Sequence, residues 1–266
     1  KLRNTLRYLL GALDGFTDKE RVKREEMPGL EKWALHRLAE LDTVVRDAYQ
    51  AYDFKVAFHA LLNFCVVDLS AVYFDIRKDS LYCDAPSSVR RRAYRTVLSE
   101  VFDRLAIWYA PVMVFTCEEA WEQRHPGNGS VHLQQFPKTP EGWHDLAIAD
   151  KWDAIFRVRK AVTEALEVER REKRIGSSLE ASVEVSAPPA LVKAFDGQDP
   201  SEIFITSGAR LSAGTGETVS VASSRAAGVK CARSWKYFDP KTADPAFPDI
   251  TPRDAAAVRE YRGLKG

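Results

Sequence analysis

The sequence predicts a mainly α-helical protein, an antiparallel helix bundle followed by a small α/β unit and a short irregular tail. In the first part of its 266 residues, apolar positions recur every three or four residues, the spacing that lines one face of an α-helix. Residues 1–175 contain 6 Gly and 6 Pro, whereas residues 176–266 contain 8 and 7, so turns concentrate in the second part. The stretch IGSSLEASVEVSA then begins an alternation of apolar and polar residues that is typical of a strand.

Two helices are predicted from this spacing before residue 80. The first carries six apolar positions on one face, namely Ala34, Leu38, Leu41, Val45, Ala48 and Tyr52. A turn at AYDF separates it from a second run, which is too long for one strand and consists of Phe54, Phe58, Leu61, Cys65, Leu69, Val72 and Ile76. The segment NFCVVDLSAVYFDIRKDSLYCDAP therefore contains the second half of a long helix.

Polar residues in that long helix are predicted to be structural. Cys65 lies on the apolar face, where a packed thiol is expected rather than a metal ligand or nucleophile. Asp68 and Asp75 are about two turns apart, too distant to share a proton, so we expect them to bond to an arginine or to a neighbouring helix.

Three further segments complete the predicted helical part. A helix is expected from about Ser88 to Tyr109, and Pro111 ends it. FTCEEAW indicates a helix start with Thr116 and Glu119 as a capping box, and SVHLQQFP indicates a short extended piece. A last long helix is expected over residues 146–174. We predict a helical bundle at 1–145, a helix with a small α/β domain at 146–224, and a tail at 225–266.

Composition excludes some classes of protein and leaves others open. With 45% hydrophobic and 29% charged residues, and no uninterrupted apolar stretch near the roughly 20 residues that span a bilayer, no membrane partner is expected. Four dispersed cysteines fit a reducing compartment, so we expect the cytoplasm. The opening KLRNTLRYLLGALDGF has no Met and no signal-peptide pattern, and suggests part of a longer chain. A net charge of +1 means that any binding to nucleic acid depends on local clusters of cations.

Sequence motifs for catalysis are missing. The five histidines show no metal-ligand spacing, and no Gly-x-Ser-x-Gly motif is present. PGNGS and GTGET are glycine turns without the lysine and helix of a phosphate loop. No catalytic residue is therefore predicted in this chain.

An ordered set of motifs nevertheless resembles one protein family over nearly the whole chain. These motifs are KLRNTLRYLLGAL, AYDFKVAFHALLNFCVVDLSAVYFDIRKDSLYCDAP, APVMVFTCEEAW, SVHLQQFP, VRKAVTEALEVERREKRIGSSLEA and VKCARSWKYF. Together they resemble the C-terminal part of bacterial isoleucyl-tRNA synthetases, class I aminoacyl-tRNA synthetases. The valyl and leucyl enzymes share the bundle, but the amino-acid sequences around residue 63 and at KRIGSSLEA are more similar to those of the isoleucyl enzyme.

The resemblance implies a helical anticodon-binding domain, a small α/β junction domain and a zinc-binding tail. It implies isoleucine-specific tRNA as the partner, together with catalytic and editing domains of the same polypeptide that this sequence does not contain. In the full-length enzyme ATP and Mg support attachment of isoleucine to tRNA. This fragment is then expected to be a monomer, to need no cofactor and to be inactive alone.

The tail departs from the family pattern. Members with the zinc site carry Cys-x-x-Cys-Trp and a second cysteine pair, which gives four thiolate ligands. Here CARSW keeps Cys231 but has Ser234 in the second position, and no cysteine follows Cys231. We therefore predict that no zinc is bound.

Three groups of residues are candidates for contact with tRNA, since single-stranded bases stack on aromatic or guanidinium planes and phosphates attract cations. One group is predicted at one end of the bundle and comprises Arg77, Lys78, Arg90, Arg91, Arg92 and Arg95. Another lies on the end of the last long helix and leads to Ser177; it comprises Arg171, Lys173, Arg174 and Ser177, although nearby glutamates weaken it by pairing. The third is Trp235, for which stacking on a base and packing with Tyr237 and Phe238 are both open.

Two alternatives remain at this point. A valine- or leucine-specific fragment would bind a different tRNA, and a helical protein-interaction module would bind no RNA. For each basic residue, a solvated surface position is the alternative to a contact with tRNA.

Overall fold

The computed structural model describes residues 1–263 and divides into two compact units. The first unit contains residues 1–81 and 87–148, and the second contains residues 82–86 and the described residues from 149 to 263. The predicted tail from residue 225 lies within the second unit, and the predicted division into three domains remains a prediction.

The first unit is the predicted helix bundle. Its helices are α1 (Leu2–Ala12), α2 (Gly29–Gln50), α3 (Phe54–Asn63), a π-helical segment (Phe64–Tyr73), α4 (Phe74–Cys83), α5 (Val89–Tyr109) and α6 (Val114–Arg124). The last two residues of α4 belong to the second unit. Helix α5 is the most enclosed, since Tyr94, Phe102 and Trp108 are fully buried along it. Its predicted start is confirmed, because the Ser88 side chain caps the helix by accepting from the Arg91 backbone N–H.

The long helix predicted from Phe54 is confirmed as one continuous helical stretch through α3, the π-helical segment and α4. Leu61, Cys65 and Leu69 are buried on its inner side, as their spacing predicted. Phe54 is wrongly predicted as inward: it is 46% exposed and makes edge contacts with Tyr49 at the corner between α2 and α3.

The acidic residues of this stretch are ion-paired. Asp68 Oδ1 accepts from Arg37 Nε at 3.1 Å, which confirms the expected bond to an arginine of another helix. Asp75 instead pairs with Lys78 one turn further along its own helix, at 2.7 Å.

By length and composition alone, the stretch Phe54–Cys83 is apolar enough to cross a membrane, with a mean hydropathy of 1.6 over its most apolar window. Polar residues such as Asp68 interrupt the stretch, so it contains no unbroken apolar run of about 20 residues. Core helices of soluble proteins meet the same criterion, so the finding is weak support for a membrane span. Within the stretch, Asp68 and Arg77 form ion pairs inside the bundle.

Two local predictions near α6 are wrong. The helix begins at Val114 after Met113 with no side-chain cap, so Thr116 lies inside the helix, and Glu119 pairs with Arg3 at 3.0 Å. Residues Val131–Leu133 form a 3-10 turn rather than an extended piece. Glu118 stabilises that turn, because its Oε2 accepts from the Val131 N–H at 2.8 Å, a contact that the local sequence does not reveal.

The second unit contains the predicted α/β part. Its elements up to residue 225 are α7 (Leu146–Arg171, whose first three residues belong to the first unit), β1 (Ala181–Ala187), α8 (Pro189–Ala194), α9 (Pro200–Phe204), β2 (Gly208–Ala213) and β3 (Ser220–Arg225). The sheet order is β2-β1-β3, with β1 parallel to β2 and antiparallel to β3. Val183 and Val185 of β1 are buried on alternate positions, which confirms the predicted strand. Arg159 of α7 donates to the Ile203 carbonyl at 3.0 Å and so joins α7 to α9.

The tail was predicted to be irregular, but it contains two short strands and a helix. It comprises the short antiparallel strands β4 (Val229–Lys230) and β5 (Tyr237–Phe238), followed by α10 (Pro252–Tyr261). Cys231, Ile250 and Ala255 form its small core, against which Phe238 packs. Gly228 is required before β4, since its φ is +96° and a Cβ there would lie 2.1 Å from the Phe238 carbonyl oxygen.

Candidate nucleic-acid interface

Arg77, a predicted surface cation, lies inside the bundle. Its Nε and Nη2 donate to the two carboxylate oxygens of Glu31 at 2.6 and 2.8 Å, and the two side chains are 4% and 0% exposed. The Tyr73 hydroxyl also approaches Glu31 Oε1, at 3.4 Å. Arg77 is therefore not the surface cation that the sequence predicted, and its contact with tRNA stays a prediction that this enclosure disfavours.

Arg95 likewise lies inside the bundle and not on its surface. The side chain is buried, and it donates to the carbonyls of Ala12 at 3.1 Å and Asp14 at 2.5 Å, where α1 ends. Its Nη1 pairs with Glu20 at 2.5 Å. The carbonyls at the end of a helix lack partners within the helix, so Arg95 stabilises the bundle. Its predicted contact with RNA stays a prediction, which burial of the side chain disfavours.

Arg91 and Arg92 are half-buried and bind backbone carbonyls. Arg91 Nε donates to the Leu81 carbonyl at 3.1 Å, while Arg92 donates to the carbonyls of Glu20 and Lys19 at 3.1 and 3.2 Å. Both side chains therefore have structural partners, and substituting them would disturb the fold as well as any RNA contact.

Lys78 and Arg90 remain candidates at this end of the bundle. Lys78 is 53% exposed although it pairs with Asp75, and Arg90 is half-buried. Of the six cations predicted here, only Lys78 is classed as exposed. Little unpaired charge is therefore displayed by this group.

The second predicted group, at the end of α7, is exposed. Arg174 pairs with Glu169 at 2.5 and 2.8 Å and with Glu172, and Arg170 pairs with Glu167, which confirms the expected pairing with neighbouring glutamates. Within residues 1–263, Arg171 and Lys173 form no ion pair. Ser177 is exposed in extended backbone.

The backbone presents Lys173 in an uncommon conformation. Its φ is +59°, and the N–H groups of Lys173 and Arg174 bind the carbonyls of Arg170 and Glu169 at 3.1 and 2.9 Å, the pattern that ends many helices with a glycine. A lysine in this left-handed position costs roughly 1 kcal/mol relative to glycine. An exposed cation in such a strained position is a candidate for a functional role.

The aromatic residues of the tail differ in exposure. Trp235 is 61% exposed, and the Lys230 ammonium lies 5.3 Å from the centre of its ring. Phe238 instead packs on the tail core. Trp235 is therefore free to stack on a ligand beside a cation, whereas Phe238 is structural. Sequence reasoning missed Lys230, although its place on the strand before the turn was a usable signal.

A zinc site does not fit the tail. Cys231 Sγ donates to Asp254 Oδ2 at 3.2 Å, and the hydroxyls of Ser234 and Thr251 donate to the same oxygen. Serine and threonine hydroxyls do not replace the thiolates of a structural zinc site. Over residues 1–263, no group of three or more His, Cys, Asp or Glu side chains is placed to hold a metal ion.

The buried thiols of the bundle are not nucleophiles. Burial raises the pKa of Cys65 to about 12, and burial likewise raises the pKa of Cys117 to about 12. The thiolate is the reactive form, so both residues are inert near neutral pH. The packed thiol predicted at Cys65 is confirmed.

Comparison with known proteins gives a consistent picture. The family model for the anticodon-binding domain of tRNA ligase matches residues 31–185. Isoleucine–tRNA ligase from Agrobacterium fabrum is 51% identical over 276 aligned residues, which cover 100% of this chain and 28% of that protein. The proteins of the same name from Caulobacter vibrioides and Brucella abortus are 50% and 49% identical and are covered to 28% of their length. These relatives confirm the resemblance predicted from the sequence motifs, and the chain spans about 28% of their length.

Proposed function

Because the chain belongs to the family of anticodon-binding domains of tRNA ligases, we propose that it binds the anticodon arm of isoleucine tRNA for an isoleucine–tRNA ligase. The match of the family model over residues 31–185 carries this proposal. The names of relatives aligned over essentially the whole chain support the isoleucine assignment.

The exposed groups of the second unit suit this role chemically. Arg171 and Lys173 offer positive charge to phosphates, and the Trp235 ring offers a face on which an unstacked base stacks. With a net charge of +1, the chain has no general attraction to RNA, so binding depends on such local groups.

The catalytic part of the reaction belongs elsewhere in this proposal. Attachment of isoleucine with ATP and Mg requires catalytic and editing domains of the same polypeptide, and this chain displays no catalytic motif in its sequence. We infer that the fragment is inactive alone, that it is a cytoplasmic monomer, and that it needs no cofactor. Incubation with isoleucine, ATP, Mg and tRNA should give no charged tRNA, and size-exclusion chromatography should give the mass of one chain.

A filter-binding comparison of isoleucine, valine, leucine and unrelated tRNAs tests the proposal. We expect isoleucine tRNA to bind most tightly, with an affinity that falls as salt increases. Preference for valine or leucine tRNA would reassign the amino acid, and equal weak binding of all tRNAs would favour a protein-interaction module.

Charge variants locate the RNA contacts. Substitution of both Arg171 and Lys173 by Ala should reduce the slope of log affinity against log salt by about 0.7 to 0.9 for each phosphate that the chain no longer neutralises. Arg210→Ala is the control, because Arg210 of β2 is exposed and ion-paired with Glu184 of β1. If both variants have the slope of the unmodified chain, the end of α7 does not bind phosphate.

A further inference from the structure

Asp254 is a buried carboxylate at the start of α10, surrounded by donors. Its Oδ2 accepts from Thr251 Oγ1 at 2.7 Å, Ser234 Oγ at 2.8 Å and Cys231 Sγ at 3.2 Å. Its Oδ1 lies 3.2 Å from guanidinium nitrogens of both Arg233 and Arg253. The side chain is fully buried, so this carboxylate is held entirely by protein groups.

Burial by itself would raise the pKa of Asp254, but the hydrogen bond from Thr251, the charge of Arg253 and the hydrogen bonds from Ser234 and Cys231 keep that pKa below its ordinary value. The carboxylate is therefore an anion at neutral pH, and anions bind hydrogen-bond donors more strongly than neutral acceptors do. A single anion thus binds side chains from the β4–β5 turn and from α10.

Asp254 and three of the residues that bind it form two pairs with the same spacing along the chain. Cys231 and Ser234 lie three residues apart in the turn between β4 and β5, and Thr251 and Asp254 lie three residues apart at the start of α10. The backbone N–H groups of Arg233 and Ser234 both donate to Cys231 Sγ at 3.4 Å, so the turn folds around the sulfur. Two such pairs facing each other are the framework on which four thiolates hold zinc.

We propose that the Asp254 carboxylate replaces a metal ion as the organising centre of this tail. In a four-thiolate site, a cation gathers four anions. Here the charges are reversed, because one anion gathers three neutral donors and two guanidinium groups. The tail therefore folds without zinc, and the protonated Cys231 acts as a hydrogen-bond donor rather than as a ligand.

The centre also holds a neighbouring segment of the second unit. Arg233 donates to the carbonyls of Cys83 and Tyr82 at 2.6 and 2.8 Å, and Arg253 lies 3.5 Å from Asp84. The carbonyls at the end of α4 lack helical partners, so Arg233 caps that end while Asp254 orients its guanidinium. Loss of the carboxylate should loosen both the tail and the segment 82–86.

Asp254→Asn tests the charge at constant size. We expect faster amide hydrogen exchange over residues 229–263 and 82–86, with exchange in α5 unchanged. Asp239→Asn is the control, since Asp239 is an exposed residue of the same tail whose capping of the Lys241 N–H an asparagine can keep. Exchange in Asp254→Asn equal to that of the unmodified chain would overturn the role of the carboxylate.

Metal analysis tests the absence of zinc. We expect the purified chain to contain far less than one zinc per molecule and to unfold at the same temperature with and without EDTA. Stoichiometric zinc, or a lower unfolding temperature in EDTA, would overturn the proposal.

A variant with three cysteines tests the geometry of the framework. The combined variant S234C, T251C and D254C supplies, with Cys231, four thiolates at the four paired positions. We expect it to bind about one zinc per chain and to show the absorption of tetrahedral cobalt thiolates when loaded with Co²⁺. A variant that binds neither metal, whether folded or unfolded, would contradict the placement of these positions around one centre.

Discussion

Basic residues of the bundle and of the second unit look alike in the sequence but have opposite surroundings. In the bundle, Arg77 and Arg95 are enclosed and bind carboxylates and backbone carbonyls of the protein itself. In the second unit, Arg171 and Lys173 are exposed and unpaired within the part of the chain that the structure describes. A cluster of cations in a sequence therefore does not measure the charge that is displayed to a polyanion.

The chemistry of arginine explains the difference. Its five N–H donors satisfy several acceptors at once, so it suits the end of a helix, where carbonyls lack partners. Arg95 does this for α1, and Arg233 does it for the carbonyls of Tyr82 and Cys83 within the second unit. Only cations that have no such acceptor within reach remain available to a ligand.

The largest expected effect tests the enclosed arginines. Arg77→Ala should lower the free energy of unfolding by about 3 to 5 kcal/mol, because it leaves the buried Glu31 carboxylate without its partner. Urea unfolding measures this change, and Lys78→Ala at the adjacent exposed position should change stability by less than about 0.5 kcal/mol. Equal effects of the two substitutions would break the contrast between enclosed and exposed cations.

Trp235→Ala should weaken tRNA binding by about 1 to 3 kcal/mol, the range for removal of one stacked base, without lowering the melting temperature. The reason is that the Trp235 ring is exposed and contributes little to the tail core. Phe238→Ala should do the reverse and loosen the tail first, since Phe238 packs on that core. Affinity of the Trp235 variant equal to that of the unmodified chain would remove this residue from the interface.

The bundle should lose stability in mild acid through His36. Burial lowers the pKa of His36 from its ordinary value of 6.5, and its Nδ1 accepts from the Asp145 N–H at 2.9 Å, so the folded state favours the neutral ring. The lowered pKa means that stability is complete above about pH 6.5 and falls below it by up to about 1.4 kcal/mol per pH unit.

His36→Asn keeps an acceptor without titrating, so its unfolding free energy should depend less on pH between 7.5 and 5.5, as measured by urea unfolding. His132→Asn is the control, because His132 is exposed in the same unit. The same pH dependence in all three proteins would show that His36 does not cause the decrease in stability.

The smallest effect separates function from stability at one residue. Lys173→Gly should raise the free energy of unfolding by about 0.4 to 1 kcal/mol, since glycine adopts φ of +59° without strain. The same change should weaken tRNA binding by removing an exposed cation. A variant that is more stable and binds tRNA as before would assign Lys173 no part in the interface.

Much of the architecture could be predicted because it depends on neighbours along the chain. Helical spacing placed Cys65 and Leu69 on the inner side of the long helix, and alternation placed Val183 and Val185 inside the sheet. The start of α6 and the turn at Val131 were missed, because Glu118 and Glu119 bind partners that local patterns do not identify.

The sequence predicted which kinds of residue the candidate site contains, but only partly which of them are exposed. The motif order identified the family, and the tail sequence from CARSW onward showed that three of the four thiolates are missing. The sequence could not predict that Trp235 is exposed while Phe238 packs on the tail core. Either aromatic residue of this short hairpin could have packed on the core or faced solvent.

The sequence by itself determined the helices, the central strand, the family and the absence of the zinc ligands, since each depends on residue type and spacing. Only the tertiary structure decided which cations are available. Arg77 meets Glu31 across 46 residues of chain, and Arg95 meets the Ala12 carbonyl across 83. Folding brings such partners within 2.6 to 3.1 Å, and burial then makes each pairing obligatory because an unpaired charge inside the bundle is costly.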